Sequence, residues 1–167
     1  MSPSQSEIGD LFIHELKNAG VISHAIFSLS ISEGDLQSKL TLGGYELDSY
    51  AQSPILKWHK ITDQSTFWEL PLENFSIINE DSKFDIPLNI TKPIIIDSGT
   101  SFIMMPVQDR DTMLLQFWEK IDIYCDVSSA YPSCVLKQEQ TFSDFPDMKF
   151  TIDGQSYFLP RESYVVN

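Results

Sequence analysis

One short segment in the second half of the chain constrains the fold more than any other. Residues 94–106 run Ile-Ile-Ile-Asp-Ser-Gly-Thr-Ser-Phe-Ile-Met-Met-Pro, so a single carboxylate, that of Asp97, lies between two apolar runs. This pattern predicts a buried strand that ends in Asp97 and enters a turn of small, hydrogen-bonding residues. An unpaired charge in a buried place is costly, so some gain must offset that cost. The obvious gain is chemistry.

The three residues Asp97, Ser98 and Gly99 would also occur in an ordinary Asx turn at the end of a strand, and such short matches are common by chance. The longer frame from Ile95 to Pro106 is much more specific. It resembles the catalytic Asp-Thr/Ser-Gly turn of the pepsin-like aspartic proteases. Of the two such turns in that family, it is more similar to the second.

The resemblance extends over most of the chain, and its motifs follow the family's order. They include the helix and strand of residues 7–32, the Leu-Gly-Gly hairpin with Asp48 and Tyr50, Trp58 with residues 67–70, and the segments 145–154 and 163–166. The resemblance implies a mostly β fold, the pepsin-like acid protease lobe, which is a double-psi-type β-barrel lobe with two short helices.

Only one Asp-Thr/Ser-Gly turn occurs in this sequence, whereas the family has two in about twice the length. We therefore expect residues 1–167 to form a single domain. The resemblance identifies this domain as most of the C-terminal lobe of a bilobal enzyme, truncated at both ends. A natural protein longer than this chain is the simplest explanation of that truncation.

The resemblance implies an aspartic endopeptidase, in which two Asp carboxylates share a proton and activate a water that hydrolyses a peptide or protein substrate. Asp97 would be the second carboxylate of this pair. The hydroxyls of Ser98 and Thr100 would brace the turn, Gly99 and Thr100 would line the substrate groove, and Tyr50 would line its primed side. No cofactor and no metal are implied.

The other carboxylate of the pair is absent from this sequence. It would come from the missing N-terminal lobe or from a second copy of the chain, so we expect this chain alone to be inactive. A non-catalytic lobe that binds a peptide or a partner is the competing hypothesis, since an uncovered lobe interface favours association. Binding does not require Asp97 with Ser98, Gly99 and Thr100, whereas catalysis does.

Two cysteines, Cys125 and Cys134, lie nine positions apart without a nearby His at zinc-ligand spacing. The family usually has one disulfide in this part of the lobe, so the resemblance favours a disulfide, with two reduced thiols as the alternative. Asn74 and Asn89 each begin an N-glycosylation triplet. The triplets mildly favour a secretory or vacuolar route.

The charge balance narrows the classes of partner. The chain has 11 Lys and Arg against 24 Asp and Glu, a net charge of −13, which argues against nucleic acid and anionic membranes. No apolar run is long enough to span a bilayer, and residues 1–12 lack the pattern of a signal peptide. We expect the full-length protein to be secreted, vacuolar or lysosomal, with its signal peptide upstream.

Local patterns predict two helices, one that begins at a Ser4–Glu7 capping box and stops at Gly20, and one over residues 109–121. Strands are predicted at residues 25–32, 39–45, 55–61 and 67–78 and between Pro87 and Pro93, and a hairpin over residues 148–159 turns at Asp153-Gly154. Residues 122–144 are predicted to be a loop. We expect the three tryptophans, Trp58, Trp68 and Trp118, to lie in the core, and the three histidines to have no role in catalysis.

Overall fold

Short strands dominate the structure, as predicted. The computed structural model describes residues 10–32, 37–51, 53–62, 66–79, 84–129 and 131–165. The chain divides into two units, Met1–Trp68 and Glu69–Asn167. The single domain expected over residues 1–167 stays a prediction.

The first unit contains an antiparallel hairpin and two short helices. Its elements are α1 (Phe12–Asn18), β1 (Phe27–Ser30), β2 (Lys39–Leu42) and α2 (Leu47–Tyr50). Strands β1 and β2 pair with Phe27 opposite Leu42, which confirms the two predicted strands. Gly20 follows α1 with a φ of 71°, as expected of a glycine stop. The predicted capping box at Ser4–Glu7 lies outside the described residues.

The second unit is built around a four-stranded antiparallel sheet. Its elements are β3 (Glu69–Leu70), β4 (Asn74–Asn79), β5 (Phe84–Pro87), β6 (Ile94–Ile95), α3 (Val107–Ile121), β7 (Tyr124–Asp126), β8 (Ser133–Val135), β9 (Asp147–Ile152) and β10 (Gln155–Leu159), with 3₁₀ turns at Phe142–Asp144 and Arg161–Ser163. The sheet order is β10-β9-β4-β5, so β4 and β9 are its central strands. The predicted hairpin over residues 148–159 is confirmed by β9 and β10, which pair across Asp153-Gly154.

One face of this sheet forms the core of the second unit. Side chains alternate along a strand, so Phe75 and Ile77 of β4 share a face with Met148 of β9, and all three are buried. Helix α3 contributes Met113, Leu114 and Phe117 to the same cluster, which are buried at the spacing of one helical face. The core therefore joins side chains of a central strand to those of a helix that begins 28 residues after that strand ends.

The C-terminal end of α3 is fixed by hydrogen bonds from a distant loop. Asp122 adopts the left-handed conformation, with a φ of 55°. The side-chain amide of Gln140 donates to the carbonyl oxygens of Ile121 and Asp122, at 2.7 and 3.2 Å, and so satisfies acceptors that a helix end leaves free. The predicted helix over residues 109–121 is confirmed and begins two residues earlier, at Val107, directly after Pro106.

Residues 122–144 are more ordered than the sequence predicted. They contain the hairpin of β7 and β8, in which Cys125 lies directly opposite Cys134. The two residues form a disulfide, which confirms the pairing that the family resemblance favoured. The loop prediction was wrong for these strands because they are only three residues each, too short for their alternation to stand out in the sequence.

Two strand predictions are wrong. The described residues 53–62 contain no strand, and the exposed side chains of Ile55 and Trp58 account for their apolar pattern without a sheet partner. No strand lies between Pro87 and Pro93 either. Strand β5 ends at Pro87, and Asn89 has a φ of 54°, which interrupts any extended conformation there.

The tryptophans are also less buried than predicted. Trp58 is 74% exposed and Trp118 is 56% exposed, because Trp118 lies off the buried stripe of α3. Trp68 is half-buried, with its ring edge-on to Phe27 at 5.6 Å between centroids. A large apolar side chain was therefore a poor guide to burial in this chain.

Ile77 is completely buried in the middle of β4, so its truncation should open a cavity. We expect Ile77→Ala to lower the free energy of unfolding by about 2–5 kcal/mol. Ile96→Ala is the matched control, since Ile96 is exposed, and its cost should stay below about 1 kcal/mol. Urea denaturation followed by circular dichroism measures both. Equal losses would contradict the assignment of β4 to the core.

The disulfide closes a short loop between β7 and β8. Replacing both cysteines by serine should cost about 2–3 kcal/mol of unfolding free energy, mostly because the unfolded chain gains freedom. Denaturation with and without a reductant measures this cost. The wild type should lose stability on reduction, whereas the double variant should not respond. A wild type indifferent to reductant would contradict a structural role for this bond.

Candidate active site

The Asp97 turn follows the shortest strand pairing in the second unit. Strand β6 pairs with β3 over two residues only, with Glu69 opposite Ile95 and Leu70 opposite Ile94. Beyond this pairing Ile96 is 57% exposed, and Asp97 is exposed as well. The predicted buried strand that ends in Asp97 is therefore wrong for this chain, since one two-residue partner strand covers too little of the apolar run.

The turn holds the Asp97 carboxylate through both of its oxygens. The backbone N–H of Gly99 donates to Oδ1 at 2.8 Å, which is the hydrogen bond of an Asx turn. The Thr100 hydroxyl donates to Oδ2, and the Thr100 N–H lies 3.4 Å from the Asp97 carbonyl oxygen. Among the described residues, the hydrogen bonds that hold this carboxylate come from its own turn.

These hydrogen bonds determine the protonation of Asp97. The Thr100 hydroxyl, and after it the Gly99 N–H, stabilise the charged form and hold the pKa of Asp97 below its usual value. Burial acts to raise the pKa of Asp97, but its effect is smaller because the side chain is exposed. Asp97 is therefore ionised in mildly acidic and neutral solution.

Gly99 is required by the space beside the carboxylate. A Cβ atom built on Gly99 would lie 3.1 Å from Oδ1 of Asp97, a contact tighter than nearly all real Cβ contacts. Any side chain here would press on the carboxylate oxygen that the Gly99 N–H binds. The turn thus combines an acceptor, a donor hydroxyl and a residue without a side chain in four consecutive positions.

The other two predicted site residues are Ser98, within this turn, and Tyr50, in the first unit. Ser98 is exposed and forms no hydrogen bond within the described part of the chain. Tyr50 belongs to the first unit, where the Lys39 ammonium lies 5.0 Å from the centre of its ring. Their bracing and substrate-binding roles stay predictions.

Tyr50 lines a cavity of about 170 Å³ on the β1–β2 hairpin, together with Tyr45, Leu47 and Leu56. Lys39 also lines this cavity and pairs with Glu46 at 2.6 Å. The hydrogen bond to Glu46 raises the pKa of Lys39, so its charge is stable. Sequence patterns singled out Tyr50 alone, because nothing local shows that Tyr45 and Lys39 approach it.

Apolar side chains surround the Asp97 turn and are largely uncovered. Phe102 and Ile103 are exposed after the turn and Ile95 and Ile96 before it, while Met104 is 80% exposed. The ring of Phe102 contacts that of Tyr131, with 4.9 Å between centroids. Such an apolar surface around a polar centre is typical of a site for another chain or segment. The sequence predicted burial only for the run before Asp97 and gave no sign that Tyr131 is near.

Among the described residues, no three His, Cys, Asp or Glu side chains cluster closely enough to hold a metal ion. Within the same residues, no helix has the length and apolar character needed to cross a membrane. The site itself consists of the Asp97 carboxylate, held by hydrogen bonds from Gly99 and Thr100.

Known proteins have sequences similar to most of this chain. The sequence profile described as eukaryotic aspartyl protease matches residues 2–167. Aspartic protease 3 of Toxoplasma gondii is 27% identical over 165 residues, which is 98% of this chain and 23% of that protein. Pepsin II-2/3 of Oryctolagus cuniculus and gastricsin of Macaca fuscata fuscata are each 25% identical over 150 residues, 89% of this chain and 35% and 36% of their own lengths.

The chain thus spans about a third of the length of the pepsin and gastricsin relatives and under a quarter of the Toxoplasma protein. An Asx turn alone would not identify a protease, because its geometry is local and common. The family profile matches residues 2–167, and this extent distinguishes an aspartyl protease sequence from an ordinary Asx turn. This chain belongs to the eukaryotic aspartyl protease family.

Proposed function

We propose that this chain carries one half of the catalytic centre of an aspartic endopeptidase, with Asp97 as the second carboxylate of the pair. The observation that carries the proposal is the turn itself, in which Gly99 and Thr100 hold both carboxylate oxygens of Asp97. Family membership supports the class of reaction, the hydrolysis of peptide bonds. The proposed reaction needs neither a cofactor nor a metal.

The proposed reaction uses two carboxylates that share one proton. Two such groups in close contact cannot both ionise easily, so one remains charged and the other protonated. The charged carboxylate takes a proton from water, whose oxygen attacks the peptide carbonyl carbon. The protonated carboxylate donates to the carbonyl oxygen. Asp97 is ionised while it stands alone, and a second carboxylate brought close would make the two titrate as a pair.

The second carboxylate comes from outside the described residues in this proposal. Both oxygens of Asp97 bind donors of its own turn and no acidic side chain. The exposed side chains of Phe102, Ile103 and Met104 offer an apolar surface against which the missing N-terminal lobe, or a second copy of the chain, would pack. Packing there would also desolvate the pair and so raise the pKa of one member.

The substrate is proposed to be a peptide or protein in an extended conformation. Gly99 leaves room for its backbone beside Asp97, and Tyr50 would contact its primed side. A low working pH fits the shared proton, since the pair is inactive when both groups are charged. The formal charge of −13 also diminishes in acid as carboxylates become protonated. We place the full-length protein in a secreted, vacuolar or lysosomal compartment on the same grounds.

The hydrogen bond from Thr100 should be measurable as a shift in the pKa of Asp97. We expect the wild-type pKa of Asp97 to lie below the usual aspartate value, and Thr100→Val to raise it because the hydroxyl donor is lost. Carbon-13 NMR of the side-chain carboxyl groups during an acid titration measures both. The stabilisation that this bond gives is present above the pKa of the unfolded chain and is lost as the pH falls through the folded pKa.

Asp126 provides an internal control for that titration. Its carboxylate accepts hydrogen bonds from the N–H and hydroxyl of Ser128, which lower its pKa in the same way. Thr100→Val should leave the pKa of Asp126 unchanged, and Ser128→Ala should raise it without moving that of Asp97. An Asp97 pKa that ignores Thr100→Val would contradict the described turn.

Asp97 should be essential for peptidase activity in the full-length natural protein. We expect Asp97→Asn to lower kcat by about 10²–10⁴-fold or more, because an amide can neither accept the water proton nor donate one as an acid. Asp126→Asn is the matched control, a second exposed aspartate in a similar turn, and should keep wild-type activity. Cleavage of a peptide mixture at acidic pH measures the rates.

The 167-residue chain alone should not cleave the same peptides. Wild-type activity of the full-length Asp97→Asn variant would contradict the proposal. The competing hypothesis, a lobe that binds a peptide or a partner without catalysis, would then be favoured for this chain. Activity of the isolated chain that depends on Asp97 would instead mean that two copies of the chain pair, each contributing one Asp97. Gel filtration of the active material would separate that outcome from a contaminating protease.

A further inference from the structure

Two triplets in this chain fit the N-glycosylation pattern, and they lie in different structural environments. Asn74-Phe75-Ser76 and Asn89-Ile90-Thr91 both have the required residues. A glycan is bulky and polar, so a folded protein accommodates it only where the asparagine and its surroundings face solvent. The two sites therefore differ in whether the folded chain has room for a glycan.

Asn89 lies on a surface loop between two anchored neighbours. The N–H of Leu88 donates to the Phe75 carbonyl oxygen at 2.8 Å, and the Leu88 side chain is buried. Ile90 packs against the same core. With apolar neighbours directed inward on both sides, Asn89 is exposed, and so is Thr91.

The backbone of this loop also favours an asparagine that projects from the surface. Asn89 has a φ of 54°, a left-handed conformation that asparagine adopts more readily than most other residues. It follows the end of β5 at Pro87 and precedes Pro93, so it belongs to no sheet.

Asn74 lies in the opposite environment, at the start of a central strand. It stands opposite Thr151 of β9 and is half-buried. The hydroxyl oxygen of Ser76, the third residue of its triplet, is completely buried. Because Ser76 shares the face of β4 with Asn74, a glycan on Asn74 would emerge over a closely packed strand pair.

The disulfide supplies an independent indication of the compartment. Cys125 and Cys134 pair within the same unit, and disulfides persist in oxidising compartments such as the endoplasmic reticulum and the extracellular space. Proteins that enter this route also meet the N-glycosylation machinery. The disulfide and the exposed triplet thus point to the same route through the cell.

We propose that Asn89 is N-glycosylated in the mature protein and that Asn74 is not. In this transfer the Asn89 amide nitrogen forms a bond to the anomeric carbon of an oligosaccharide carried on a lipid pyrophosphate. The bond from that carbon to the pyrophosphate oxygen breaks, the lipid pyrophosphate leaves with the electron pair, and the amide proton passes to a base of the transferase. The proposal does not depend on peptidase activity.

Peptide mapping of the full-length protein purified from its natural source tests this directly. Enzymatic removal of N-glycans in ¹⁸O-labelled water converts each glycosylated Asn to an ¹⁸O-labelled Asp, which mass spectrometry detects. We expect the label at Asn89 and an unmodified Asn74 in the same digest. An unmodified Asn89, or label at Asn74, would overturn the proposal.

Variants expressed in the same cells separate the two triplets. Thr91→Val keeps Asn89 but removes the hydroxyl that the triplet needs, so the protein should lose its glycan and migrate faster on a gel by the same step as the deglycosylated wild type. Asn74→Gln is the matched control and should migrate like the wild type. Unchanged mobility of Thr91→Val would contradict the proposal. The peptidase activity of Asn89→Gln is measured in parallel. This separates a failure of the glycosylation proposal from a failure of the role proposed for Asp97.

Discussion

The second unit depends on the burial of one central strand against one helix. Strand β4 pairs with β5 on one side and β9 on the other, and Phe75 and Ile77 lie with Phe117 of α3 in a single cluster. Strands β3, β5, β6, β7, β8, β9 and β10 each contribute a side chain to that cluster or pack one against it. The Asp97 turn lies in the connection from β6 to α3. Because β6 and α3 both pack against this core, the core fixes the two ends of that connection.

The turn itself needs little from the core, and this explains how a well-formed carboxylate site occurs on an exposed surface. Its hydrogen bonds join residues no more than three positions apart in the chain. What the core does not supply is a cover for the apolar residues on either side, of which Ile96 and Met104 are the most exposed. The chemistry proposed for Asp97 needs a second body that brings a carboxylate, and such a body could also cover this surface.

The parts of the fold with strong local patterns were predictable from the sequence. The spacing of Leu114, Trp118 and Ile121, with Met113 and Phe117 beside them, predicted α3, although the buried stripe is Met113, Leu114 and Phe117. The Asp153-Gly154 turn predicted the last hairpin. The Asp97 turn was also visible, because its geometry is local. Burial could not be predicted in the same way. Whether Trp58, Trp118 or Ile96 is covered depends on which distant segments reach it, and an apolar side chain has the same appearance in the sequence in either case.

The central claim is that Asp97 works with a second carboxylate supplied from outside this segment. Intact mass measurement and sequencing of the natural protein test this claim most directly. The account predicts a protein well above the 19.1 kDa of this chain, with another Asp-Thr/Ser-Gly turn in its additional sequence. A monomeric natural protein of about this mass that hydrolyses peptides in an Asp97-dependent manner would contradict it.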